Sequence, residues 1–223
     1  MAKNQVLSWV DGSGWLVLSG GPVSLGDVRA AALTRIAVEG GVAYIGINEH
    51  DNEELIDDMG ELGAPTGYLV NVMAEDDDTV RQQLTNAALV VVPGNFDLAT
   101  LRGGLLGAAI EGIEAAFKRG AVILVEGSAT MLFGKVVQTD SGNLLEGLDW
   151  VRNALIIPAI TSISESPQAR DLLASKQAGI AIGIGVGSAL VLGPDATIEL
   201  WGQKQVTLAL GAAPPNAETN STS

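Results

Sequence analysis

The chain has 223 residues, 47% of them hydrophobic, with 26 acidic against 12 basic side chains and a net charge of −14; its mean hydropathy is +0.31. That is ample material for a core, and the acidic balance, with no basic stripe, excludes a nucleic-acid partner from the expectations. No cysteine is present and His50 is the lone histidine, which excludes disulfides, thiolate catalysis and cysteine or histidine metal clusters, so neither a metal nor a cofactor is expected.

The N-terminus carries Lys3 and Asp11 around a short apolar stretch and has no signal-peptide h-region. Trp15–Ser19 reads as the first strand, ending at Gly20-Gly21-Pro22. Ser24 with Asp27 resembles a capping box and opens a helix through Val38, stopped by Gly40-Gly41. Val42–Ile47 is the second strand, followed by a loop holding His50 and a short helix, Glu53–Leu62. Tyr68–Val72 is the third strand. The acidic run Glu75–Asp78 suits the N-terminus of a helix over Thr79–Asn86, through the macrodipole, better than it suits a metal. Ala88–Val92 is the fourth strand, ending at Pro93-Gly94-Asn95, and Leu98–Lys118 reads as one long helical stretch.

Ala121–Val125 is the fifth strand, an unbroken apolar run of the kind buried on both faces of a parallel sheet. It breaks at Glu126-Gly127 and delivers Ser128 just before a second apolar run, Ala129–Phe133. Strand, sharp turn, serine, helix is the layout of a nucleophile elbow, in which the N–H of the next residue, here Ala129, serves an oxyanion. Beyond the elbow, Leu155–Ile160 reads as an edge or irregular strand because of Pro158, and Pro167–Ala174 as a helix. Ile180–Ile184, Ala189–Leu192, Thr197–Trp201 and Val206–Leu210 form a meander of short strands. The longest uncharged run, Ala178–Pro194, is too short and glycine-rich for a membrane span, so no membrane association and a cytoplasmic location are expected. Residues 1–212 are expected to form a single domain and 213–223 a disordered polar tail.

Strands alternating with helices imply βαβ units and a parallel sheet whose carboxyl edge holds the ligand. Four stretches in order carry a family resemblance: WLVLSGG at Trp15–Gly21, ALVVVPGN at Ala88–Asn95 with the helical stretch behind it, the elbow VEGSATM, and the closing run GIAIGIGVGSALVLGPDATIELWGQKQVTL. They resemble the cyanophycinase and dipeptidase E family of serine peptidases, whose fold is like that of class I glutamine amidotransferases. The resemblance implies a three-layer α/β fold, flavodoxin-like in its mostly parallel sheet flanked by helices, with short C-terminal strands. It implies Ser128 as the nucleophile position, with Ala129, Gly94, Asn95 and Glu126 around it as oxyanion donor and pocket walls.

Against that pattern, Glu126 and Thr130 stand where the family's elbow has glycine, Pro93 replaces a glycine, and Pro158–Arg170 holds no histidine, Thr161 or a neighbour taking its place. Glu126 or Lys135 could in principle serve as an unusual base. With a sheet order of 3-2-1-4-5, His50 would stand ~14 Å from the elbow, out of direct reach. The reading that follows is a pseudoenzyme with a binding or assembly role. Two alternatives stay open: an active serine exopeptidase on small or acidic peptides using Ser128, and a small-ligand binding module at the carboxyl edge. A homo-oligomer and a small peptide or small-molecule ligand are the expected partners.

Overall fold

The computed structural model describes residues 6–21, 26–48, 51–139 and 142–211. The capping-box residue Ser24, the lone histidine His50 and the expected tail at 213–223 lie outside the described residues.

Seven strands form the main sheet in the order β11-β10-β1-β5-β4-β2-β3. Five are mutually parallel: β1 (Trp15–Ser19), β5 (Val122–Glu126), β4 (Leu89–Val92), β2 (Val42–Gly46) and β3 (Gly67–Asn71). As their unbroken apolar character requires, β4 and β5 are parallel neighbours inside the sheet, paired from Leu89↔Val122 to Val92↔Val125. This order differs from the 3-2-1-4-5 of the distance argument. The chain returns through α3 to lay β4 between β2 and β5, so two spacings, about 10 Å, separate β2 from β5.

Helices α1 (Gly26–Thr34) and α2 (Glu53–Glu61) cover one face of the sheet, packing Val28, Ala32, Leu55 and Met59 on Val17, Tyr44, Val91 and Leu124. The other face carries α3 (Asp77–Asn86), α4 (Leu98–Leu105) and α5 (Ala108–Arg119), with Leu84, Leu101, Ile113 and Phe117 against Leu18, Val90, Ile123 and Val125. The expected single helix over Leu98–Lys118 is thus two. Leu106 is extended and Gly107 takes φ +80°, a left-handed turn that glycine allows at no steric cost. The acidic run before α3 acts as a cap: Asp76 accepts hydrogen bonds from Thr79 N at 3.0 Å and Thr79 Oγ1 at 2.7 Å.

Beyond β5 the chain builds a hairpin that the sequence reading did not include, β6 (Val136–Gln138) with β7 (Leu144–Glu146). It then adds β8 (Ala154–Pro158) and α6 (Pro167–Ala174). The four closing strands, β9 (Ile180–Ile184), β10 (Ser188–Leu192), β11 (Ile198–Gly202) and β12 (Val206–Leu210), are one antiparallel ribbon bent between two sheets. Its register is continuous from Leu192↔Ile198 to Ile180↔Leu210. One half extends the main sheet beside β1, and the other makes the small sheet β12-β9-β8, where β8 and its Pro158 take an edge. Among the described residues no helix is long and apolar enough to cross a membrane.

Two carboxylate caps give a pH prediction. Backbone and side-chain hydrogen bonds from Thr79 hold Asp76 below its usual range, and those from Thr100 do the same for Asp97. A depressed folded pKa contributes stability that is present above the unfolded value of about 3.9 and lost as pH falls through the folded value. The Asp76→Ala/Asp97→Ala variant is therefore expected to melt below the wild type at pH 6, with the gap closing toward pH 2. A gap independent of pH would contradict the assignment.

Candidate functional site

The carboxyl ends of β1, β5 and β4 lie side by side, and each runs into a turn built on glycine: Gly21, Gly127 and Gly94. Beside them is a crevice of about 650 Å³, within the range of small-ligand sites. Its walls are Pro93, Gly94 and Asn95 after β4, Glu126 at the end of β5 with Gly127 after it, Arg29 of α1, Asp51 and Asn52 before α2, and Asp58 within α2.

Arg29 is the centre of this wall. Its Nε and Nη2 each donate to a different oxygen of Glu126 at 2.8 Å, and its Nη1 donates to Asp58 at 3.1 Å. Arg29 and Glu126 are largely buried, while Asp58 is half exposed. Burial pulls the guanidinium pKa down, but the bonds and charge of Glu126, helped by Asp58, carry it above its ordinary value. With both oxygens of its carboxylate held by Arg29, Glu126 is not placed to take a proton from a neighbouring hydroxyl. Tyr44 is no better: burial pushes its phenol up to about 12, against the pull of Arg29. Asp51 is also committed. Burial pushes it up, yet the N–H groups of Asn48 and Ile47, at 2.6 and 2.7 Å, hold it below the usual range.

Ser128 sits at the strand-to-helix junction, in a 3-10 helix spanning Gly127–Phe133 rather than an α-helix. Thr130 Oγ1 donates back to the Gly127 carbonyl at 2.7 Å, a local bond of the kind that competes with regular helix. The Ser128 hydroxyl donates to the Gly94 carbonyl at 2.7 Å, and Ser128 is not part of the crevice lining. Lys135 donates to Asn153 Oδ1 at 3.2 Å. Ala129 is fully buried, and Thr161 is exposed in the loop after β8. Of the residues expected here, Gly94, Asn95 and Glu126 do line one crevice.

Arg29, Asp51 and Asp58 were not among the expected site residues. Arg29 and Glu126 are 97 positions apart, so no local spacing marks the pair. Among the described residues the crevice is lined by the carboxylates Asp51, Glu53, Glu54, Asp58 and Glu126 against one guanidinium, Arg29, a balance that disfavours an anionic guest. Among the described residues no group of three carboxylate or imidazole side chains is arranged to hold a metal ion.

No family model matches the chain, and no curated protein matches it by sequence. Solved structures do. A peptidase from an acI-B1 Actinobacterium is 19% identical with a TM-score of 0.71, the match covering 89% of this chain and 91% of that one. A provisionally named peptidase E protein from Listeria monocytogenes EGD-e is 11% identical with a TM-score of 0.60, covering 84% and 97%. The mostly parallel sheet, its flanking helices and the short closing strands are therefore the fold of peptidase E-like proteins.

Proposed function

We propose that this chain is a peptidase-fold protein that does not hydrolyse peptides through Ser128 and instead holds a small neutral or cationic ligand in the crevice at the carboxyl edge of its sheet. The observation that carries the reading is the Ser128 hydroxyl. Its proton goes to the Gly94 carbonyl, whereas a serine nucleophile needs an adjacent base to take that proton. Glu126 and Lys135, the two unusual bases weighed from sequence, are bonded to Arg29 and Asn153. The crevice supports the ligand half of the reading by its volume and by the polar groups that converge on it.

Two measurements test it. A fluorophosphonate probe is expected to leave the wild type unlabelled; stoichiometric labelling that Ser128→Ala abolishes would overturn the reading in favour of an active exopeptidase. In a thermal-shift screen of amines, amino acids and short peptides, at least one compound is expected to raise the melting temperature, and Asn95→Trp, which puts a bulky side chain on the crevice wall, to remove that rise. A rise unchanged in Asn95→Trp would place the ligand elsewhere.

A further inference from the structure

The unreactive serine has a geometric explanation that also relocates the elbow, and it rests on the reading of Ser128 just given. Strand β5 ends at Glu126, and the residue that takes the sharp turn is Gly127, with φ +54°. Among the described residues, Ser128 is not one of those with positive φ. In a nucleophile elbow the reacting residue occupies the strained turn itself and so stands out from the carboxyl edge, while the residue behind it supplies an oxyanion N–H. We infer that the nucleophile position of this elbow is Gly127, one residue before the serine, so that the turn keeps its backbone form and lacks only the side chain.

Three further observations agree. A Cβ on Gly127 would meet only Gly94 Cα, at 3.7 Å, an ordinary van der Waals contact, so a side chain has room there, at the cost of the backbone strain that any non-glycine residue bears at φ +54°. Gly127 lines the crevice and Ser128 does not. A Cβ on Gly94 would come within 2.8 Å of Ser128 N and 2.3 Å of the Glu126 carbonyl. The bare Gly94 therefore lets the loop after β4 close against the amide that follows position 127, the amide that serves an oxyanion when a nucleophile stands at 127. With this register the donor is Ser128 N–H rather than that of Ala129, and the Ser128 side chain is left to point at the Gly94 carbonyl.

The chain has no cysteine, so a cysteine at either position is its sole thiol. The test compares alkylation by iodoacetamide of Gly127→Cys and Ser128→Cys in the native, full-length protein. Because thiol reactivity follows exposure and thiolate character, Gly127→Cys is expected to react roughly tenfold faster or more, with the two rates converging in urea. Equal native rates, or a faster Ser128→Cys, would overturn the assignment. So would loss of folding in Gly127→Cys or in Gly127→Ala, since the assignment requires the turn to accept a side chain. Labelling of the wild-type serine by a fluorophosphonate would sink the proposed function. Equal thiol rates without such labelling would sink the elbow register alone.

Discussion

Replacing Arg29 by methionine is expected to destabilise the protein by about 3 kcal/mol, the lower end of the cost of stranding one partner of a buried ion pair. The lower end applies because the pair borders an open crevice and Asp58, its third member, is half exposed. The loss comes from Glu126, whose side chain is 13% exposed and which would lose the two 2.8 Å bonds that now compensate its burial. Methionine preserves most of the volume of the arginine stem, so little of the effect is lost packing. The Arg29→Met/Glu126→Met variant removes both charges and is expected to recover most of the stability, as apolar replacements of whole buried pairs do. Urea midpoints at constant m-value decide the matter. A single variant within 1 kcal/mol of wild type would mean that water already satisfies Glu126. The pair also ties α1 and, through Asp58, α2 to the end of β5, so the same substitution is expected to loosen the crevice walls.

This network is also where reading the sequence alone reaches its limit. Short apolar runs are plain in the letters: Trp15–Ser19 and Ile180–Ile184, buried on both faces, and Val206–Leu210, which is half exposed, have the bounds those runs give them, and Pro167–Ala174 starts where its proline suits a first helical turn. What the letters carry poorly is decided by single dihedral angles or by distant partners. The periodic apolar residues of Leu98–Lys118 run on through Leu106-Gly107, and the extended Leu106 with the positive φ of Gly107 splits the helix. β6 and β7 have three residues each, too few for alternation to register. At the elbow, aligning on the serine is natural because it is the one reactive side chain in view. The turn, however, is made by the glycine before it, and a glycine in a sequence does not announce a left-handed conformation. Glu126 reads as an intruder at a glycine position until Arg29 is found opposite it.

Truncating Trp150 to alanine should be the most damaging change in the core, costing about 4 kcal/mol, in the range for buried aromatics. The indole is 1% exposed and contacts two rings from different elements. Phe117 of α5 lies tilted at 58° with centroids 5.4 Å apart, and Phe133 of the elbow helix stands edge-on at 5.3 Å. Both arrangements suit the ring quadrupoles and add to the area buried. The Trp150 carbonyl meanwhile accepts from Val10 N at 2.9 Å, so the loop before β8 also fixes the segment leading into β1. The cavity left by alanine would open at the junction of α5, the elbow helix and that segment, where no single element can collapse to fill it. Stability should therefore fall by the full transfer and cavity cost, and amide exchange should rise first in Gly127–Phe133, the 3-10 helix that carries Phe133. A loss below about 1.5 kcal/mol, or exchange that rises uniformly across the sheet, would show that the elbow helix is held by β5 and Thr130 rather than by this aromatic cluster.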